Sequence, residues 1–174
     1  MTDSRVQRIL AEVFLPLIGV FAWQWSFDFI CWFYVIDVFL NALVGMLRHR
    51  EFRKPIGLAL PWFELVLVIT LIVLSGNELW PSFKDFLAYK DMGIAQGYIL
   101  IPLILLNEWM RWKLEQRTRI LMFTSNKTHL LKISGFALTG VFLVFFHEPF
   151  ASSLIFLGVL TVANLISKPI ISAK

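Results

Sequence analysis

Two carboxyl side chains, those of Asp37 and Glu64, lie near the middle of long apolar stretches of the sequence. A charged group at the centre of a bilayer costs at least about 2.5–3.5 kcal/mol on insertion scales, and such residues often belong to ion or substrate pathways. Asn41 and Tyr34 lie four residues after and three residues before Asp37, on the same helical face. We therefore take Asp37, Glu64, Asn41 and Tyr34 as candidate residues for binding a substrate or an ion.

Two functional interpretations of these carboxyls remain open, because the sequence places no Lys or Arg near their predicted depth. Desolvation and like-charge repulsion would keep one or both protonated, which permits proton transfer. Alternatively, a bound cation or cationic substrate would supply the missing charge, which describes a transport site. A structural interpretation is also open, in which a neutral carboxyl donates a hydrogen bond and holds two helices together.

Weaker candidates lie nearer the predicted inner surface. Asn107 and Glu108 fall at the inner end of the fourth predicted span, where Arg111 follows Glu108 by three residues and favours a local ion pair. Glu12 lies within the first span. A basic loop is a candidate site for anionic lipid head groups, with a topology signal as the alternative. Its basic residues are Arg48, Arg50, Arg53 and Lys54.

Motifs for other chemistry are missing from the sequence. It has no nucleophile elbow, Walker loop, H-E-x-x-H motif or cysteine pair. The single cysteine, Cys31, lies in an apolar run and is expected to pack as a small apolar residue. His49, His129 and His147 divide between opposite sides of the predicted membrane. We therefore predict no catalytic residues, no metal site and no cofactor.

The elements that carry these residues are predicted to be membrane-spanning helices. Hydrophobic residues make up 58% of the 174 residues and charged residues 16%, against about 25% charged residues in soluble domains. A span needs roughly 20 apolar residues, with about 17 as a lower limit. The sequence predicts one transmembrane domain, an all-α bundle of six helices, at 7–23, 27–47, 56–75, 93–111, 130–146 and 152–168. A short interfacial helix is expected within 77–92, and the fourth helix is expected to continue beyond Arg111.

The distribution of basic residues predicts the orientation of this bundle. With the N-terminus inside, only Lys84 and Lys90 of the 16 basic residues lie outside, which leaves 14 on the inner side. This asymmetry follows the positive-inside rule and places both termini in the cytoplasm. Because Glu12 interrupts the first apolar stretch, we expect that helix to be retained rather than cleaved. No segment is long enough for the basic face of a nucleic-acid-binding domain.

Two regions of the chain resemble a family of small multi-pass prokaryotic membrane proteins of unknown function. The first runs from Leu15-Pro16-Leu17-Ile18-Gly19-Val20 to Tyr34-Val35-Ile36-Asp37 and on to Arg48, and the second covers 129–168. The family commonly has an acidic residue, usually Glu, at the position of Asp37. Family members often have histidines in a middle helix, whereas 56–75 has none. The resemblance implies a prokaryotic inner-membrane protein and draws attention to Asp37, but it implies no activity.

Three classes of function follow from these observations. The first is a channel or carrier for a cation, a proton or a small solute that uses the midplane carboxyls; a substrate-binding subunit of a vitamin-type importer is a variant of it. The second is a non-catalytic scaffold or regulatory subunit of a larger membrane complex. The third is an intramembrane enzyme acting on lipid. The expected partners are membrane lipids and either further copies of the chain or other membrane subunits.

Overall fold

The described part of the chain is entirely helical. The computed structural model describes residues 13–48, 55–88, 96–118 and 126–166, and within these ranges it has seven helices and no strand. The helices are α1 Leu15–Ala22, α2 Phe27–Arg48, α3 Pro55–Leu74, α4 Leu79–Ala88, α5 Gln96–Thr118, α6 Asn126–Phe146 and α7 Pro149–Ile166. The all-α prediction is therefore confirmed for the described residues.

A tight turn separates α1 from α2. The amide of Trp25 donates to the carbonyl of Gly19 at 2.9 Å, which closes the turn, and Gln24 adopts a left-handed φ of 51°. The hydroxyl of Ser26 then accepts a hydrogen bond from the amide of Phe29 at 3.2 Å. Because a serine hydroxyl satisfies a free amide at a helix start, α2 begins at the next residue.

The helices α2 and α3 form an antiparallel hairpin. Near the start of α2, Asp28 accepts a hydrogen bond from the hydroxyl of Ser75, just beyond the end of α3, at 2.6 Å. Farther along α2, Tyr34 reaches Glu64 in the middle of α3. The basic end of α2 therefore lies beside the start of α3.

The helices α3 and α6 run in the same direction, although the two contact regions are separated by about 65 residues in sequence. Glu64 contacts His129 near the start of α6, and Leu71 lies against Gly140 farther along. α6 and α7 are antiparallel neighbours across the turn at 147–148. Consequently the starts of α3 and α6 and the ends of α2 and α7 share one end of the bundle.

The helices α4 and α5 cover the other side of α2. α4 bends away from α3 by 95°. Its position on α2 is fixed by a hydrogen bond of 2.9 Å from the indole of Trp32 to Ser82 and by a ring contact between Phe29 and Phe86. Gly97 at the start of α5 lies so close to the carbonyl of Phe86 that a Cβ would overlap it. The expected short helix within 77–92 is thus confirmed as a helix.

Several predicted boundaries shift by a few residues. α6 begins at Asn126, four residues before the predicted span, and α7 begins at Pro149, three residues before its predicted span. α5 continues to Thr118, as expected for a helix that extends beyond Arg111. The predicted start of the first span lies outside the described residues.

Some of the described helices are long and apolar enough to cross a membrane. Two qualify singly, Lys127–Phe146 within α6 and Pro149–Ile166, and the bent pair Ala59–Leu74 with Leu79–Ala88 would make a third if it formed one span. Large apolar side chains on these helices are exposed, among them Val66 on α3, Phe145 on α6 and Leu165 on α7. Extended exposed apolar surfaces are typical of membrane or protein contacts. The count of six spans stays a prediction.

Candidate functional site

Glu64 is the centre of a buried polar cluster between α2, α3 and α6. It is the only charged residue of α3 and is 0% exposed. The hydroxyl of Tyr34 donates to its Oε2 at 3.0 Å, and Nδ1 of His129 lies 2.6 Å from its Oε1. Removing a carboxylate from water costs several kcal/mol unless the group is well bonded. Here each carboxyl oxygen has a side-chain partner, which makes the burial tolerable.

His129 connects this cluster to the start of α6. It is the fourth residue of the helix, and its side chain is 13% exposed. Depending on where the proton resides, the contact with Glu64 is either an imidazolium–carboxylate ion pair or a hydrogen bond between neutral groups. A short imidazole–carboxyl contact of this kind is chemically suited to exchanging a proton.

A second basic side chain, Lys132, is buried one turn after His129. It is 4% exposed, and its Nζ lies 5.3 Å from the centroid of the Tyr34 ring, within cation–π range. The sequence predicts no Lys or Arg near the depth of Glu64, whereas Lys132 lies beside the ring of the tyrosine that donates to Glu64. Because α6 begins earlier than predicted, His129, which precedes the predicted span, belongs to the helix, and both His129 and Lys132 reach the polar cluster or its tyrosine.

Aromatic rings form the wall beneath the cluster. The ring of Tyr34 meets Phe136 of α6 at 5.2 Å and Phe156 of α7 at 5.6 Å, both edge to face, and the two phenylalanines stack at 4.6 Å. Edge-to-face pairs at these distances are favourable beyond their buried area. They fix the direction of the Tyr34 hydroxyl, which points to Glu64.

The predicted substrate- or ion-binding residues on α2 are Tyr34, Asp37 and Asn41. Asp37 is buried, and Asn41 donates a hydrogen bond of 3.0 Å to the main-chain oxygen of Asp37. Tyr34, one turn before Asp37, is the residue that contacts Glu64. The direct pairing of Asp37 with Glu64 therefore stays a prediction.

The cluster lies towards one end of α6. At about 1.5 Å per residue, the fourth residue of this 21-residue helix is about 5 Å from its start, whereas the helix is about 30 Å long. Glu64 is central in α3, but its contact with His129 places it near the start of α6. Glu64 thus lies at the middle of α3, as its predicted midplane depth requires. Its contact on α6 lies near the start of that helix rather than at its middle.

The remaining predicted site residues contribute little to this geometry. Asn107 is half-buried on α5. Glu108 and Arg48 belong to described helices, but their side chains are outside the described set. The others lie outside the described residues, namely Glu12, Arg50, Arg53 and Lys54.

An acidic cleft of about 450 Å³ lies at the opposite end of the bundle, between α2 and α4. Asp28, Glu78 and Asp85 line it, beside the ring of Phe86. The Asp28 carboxylate also accepts hydrogen bonds from Ser75 and Asn77. Among the described residues, no group of three or more His, Cys, Asp and Glu side chains is arranged to hold a metal ion.

A helical pattern in the sequence would have revealed the missed residues. His129, Lys132 and Phe136 are spaced i, i+3 and i+7, so they share one face of a helix. This shared face is missed when the start of the fifth span is assigned by hydropathy alone, because Lys127, His129 and Lys132 are polar and resemble loop residues.

Comparison with protein-family models, with curated proteins and with solved structures finds no match to this chain. Its class is therefore defined by the fold and the site alone. Within the described residues it is an all-helical protein with two or three helices able to cross a membrane and a buried tyrosine–glutamate–histidine cluster. The family resemblance seen in the sequence stays a prediction.

Proposed function

We propose that this protein is a multi-pass membrane channel or carrier that moves a proton, a cation or a small solute, with Glu64 at its site. The observation that carries the proposal is the complete burial of the Glu64 carboxyl between Tyr34 and His129. Replacing a buried ionic group by apolar residues is often neutral or stabilising. A contribution to stability is therefore a weak reason for the presence of such a cluster. A function that needs a titratable group in the interior explains its presence better.

The exposed surface of the helices supports a membrane location. α6 carries Leu138 and Phe145 outwards, and α3 carries Phe63 and Val66 outwards. Hydrocarbon favours such side chains, whereas water does not. We propose the inner membrane of a prokaryote, with six spans.

The directions of the helices support the proposed orientation. The ends of α2 and α7 and the starts of α3 and α6 share one end of the bundle, and the basic residues Arg48 and Lys127 belong to these helix ends. The acidic cleft beside Asp28 lies at the other end. Basic residues on the cytoplasmic side are what membrane insertion selects.

The acidic cleft supports transfer of a positively charged species. Carboxylates at a concave surface raise the local concentration of cations, including hydronium ions, and speed their arrival. Lys84, which lies over the ring of Trp80 at 5.2 Å on the same helix, offsets part of this charge. The combination of an acidic outer cleft and a buried carboxyl fits a pathway with two polar ends.

Flux measurements on purified protein in liposomes test this proposal. Proton and monovalent-cation fluxes would be recorded under an imposed potential for the wild type, for Glu64→Gln and for Asp37→Asn. Glutamine keeps the shape of Glu64 but does not ionise. Glu148→Gln is the matched control, because it makes the same change in the exposed turn between α6 and α7.

We expect wild-type flux above that of empty liposomes, loss of flux in Glu64→Gln, and unchanged flux in Glu148→Gln. Each variant must elute as a single species with an unchanged helical spectrum. Flux equal to that of empty liposomes would contradict the proposal and favour the predicted scaffold subunit. A partner that co-purifies in fixed ratio would support that alternative, and turnover of lipid would support the predicted enzyme.

A further inference from the structure

We infer that the ion exchanged at Glu64 is a proton and that His129 carries it between Glu64 and the solvent at the inner end of the bundle. This inference rests on the proposed function, because it names the ion and the route for the same site. No role for His129 follows from the sequence alone, because this residue joins the site through the packing of α6 against α3.

The coordination of Glu64 favours a proton over a metal cation. Its Oε2 accepts the Tyr34 hydroxyl and its Oε1 is 2.6 Å from His129, so both oxygens already have close partners. Calcium and magnesium need six or more oxygen ligands, and a metal ion would have to displace these partners. A proton needs only one oxygen and the short contact that is already present.

The charge around Glu64 points the same way. The ammonium of Lys132 lies over the Tyr34 ring, and it repels a divalent metal ion more strongly than a proton, because the repulsion scales with the charge. On α2 the titratable groups facing this region are Tyr34 and Asp37. α3 contributes only Glu64, and α7 has no titratable residue in Pro149–Ile166. A site with two basic groups beside a carboxyl can gain or lose a proton without accumulating a large charge.

The exposed fractions of the Glu64 and His129 side chains indicate which of the two residues exchanges protons with solvent. The side chain of Glu64 is 1% exposed and that of His129 is 13% exposed, so the imidazole is the more accessible end of the contact. His129 lies in the first turn of α6, at the end of the bundle where Arg48 and Lys127 lie. Histidine is suited to this step because it gains and loses protons near neutral pH.

The transfer balances as a simple relay. A neutral imidazole with its proton on Nδ1 accepts a solvent proton on Nε2 and becomes an imidazolium. The Nδ1 proton then passes to Oε1 of Glu64, which becomes a neutral carboxylic acid. The imidazole is left neutral with its proton on Nε2, and one proton has entered the site.

The test combines removal of the imidazole with its chemical replacement. Fluxes of protons, sodium and potassium into proteoliposomes would be measured for the wild type and His129→Ala, with and without added imidazole. Loss of a positioned proton-transfer group typically lowers such rates by about 10²–10⁴-fold. Added imidazole is expected to restore proton flux in His129→Ala, which a purely structural role would not allow. His147→Asn, in the exposed outer turn, is the control and should behave as the wild type.

Further controls measure whether the added free imidazole carries protons across the lipid by itself. Empty liposomes and Glu64→Gln liposomes with the same imidazole concentration are therefore included, and no restored flux is expected in either. Proton flux that survives in His129→Ala would overturn the relay. So would a loss that imidazole does not reverse in a well-folded variant, which would leave His129 as a positioning residue.

The flux results distinguish a failure of the proton assignment from a failure of the proposed transport function. Sodium or potassium flux without proton flux would overturn this inference and leave the proposed function standing. Flux of none of the three ions would overturn both. Proton flux that depends on Glu64 and on an imidazole at position 129 would support both.

Discussion

At the scale of single residues, the burial of Glu64 depends on its two hydrogen-bond partners, because a carboxyl group by itself favours water over the protein interior. A carboxylate without partners in a low-dielectric interior is strongly unfavourable, and removing one partner of a buried pair typically costs about 3–5 kcal/mol. Tyr34 supplies a neutral donor and His129 supplies a titratable one. The two therefore have separable roles, since a phenol hydroxyl only donates here, whereas an imidazole has two ring nitrogens that can hold a proton.

Tyr34→Phe isolates the structural part of this arrangement. The phenyl ring keeps its contacts with Phe136 and Phe156, but the donor to Glu64 Oε2 is lost. Hydrogen bonds to charged groups are worth about 1.5–3 kcal/mol, so we expect the free energy of unfolding to fall by about that amount. It would be measured by SDS titration in mixed micelles. Tyr98→Phe, at a side chain that is 61% exposed, is the control and should change stability little; equal effects of the two changes would contradict the role given to Tyr34.

Part of the site follows from the sequence and part does not. The unusual position of a carboxyl in an apolar run singles out Glu64, and the helical spacing around Asp37 brings in Tyr34. The contact of Glu64 with His129 joins residues 65 positions apart. Hydropathy and local spacing say nothing about which helices pack together, so that contact required the structure.

At the scale of helices, the close approach of α6 and α7 depends on a glycine. A Cβ built on Gly135 would lie 2.2 Å from a methyl carbon of Val159 and 2.9 Å from its Cβ. Helices in membranes associate through van der Waals packing, and small residues permit a close approach. This contact sits one turn beyond Lys132, so it also sets how closely the polar cluster is enclosed.

Gly135→Ala is expected to destabilise the protein by about 1–3 kcal/mol, the usual cost of overpacking. Gly158→Ala is the matched control, because a Cβ there meets no atom within 4 Å. That change should be neutral or slightly stabilising, since alanine favours helix by up to about 1 kcal/mol. Both free energies of unfolding would be compared in the same micelles.

Adding Val159→Ala to Gly135→Ala removes the two methyl groups that the new Cβ meets first. Part of the lost stability should then return, as a coupling between the two substitutions. Purely additive effects would show that the two helices do not meet at this point.

Helix existence was more predictable than helix ends. The six predicted spans all overlap described helices, because long apolar runs carry a strong signal. The start of α6 was misplaced because its first turn contains the polar residues Lys127 and His129. Lys132 turns inwards over the Tyr34 ring, so an interior contact outweighs its preference for water.

At the scale of the whole molecule, the helix directions divide the protein into a basic end and an acidic end. The α2–α3 hairpin, the shared direction of α3 and α6, and the α6–α7 hairpin together place the ends of these four helices. The packing alone does not set the orientation in a membrane, which needs a chemical test of each end.

Two single cysteines at opposite ends of α6 provide that test. Glu148→Cys lies in the exposed outer turn and Lys127→Cys in the exposed first turn of the helix, while the native Cys31 is buried and should not react. If α6 spans the membrane with its start inside, a membrane-impermeant maleimide will label Glu148→Cys in intact cells. It will label Lys127→Cys only after the membrane is permeabilised.

The wild type, with Cys31 alone, should remain unlabelled in both conditions and is the background control. Labelling of both variants in intact cells would mean that α6 does not cross the membrane. The opposite pattern would keep the span and reverse the orientation, placing His129 at the outer end. The relay inferred for His129 would then draw its protons from the outside, because the exposed end of the Glu64 contact would face that side.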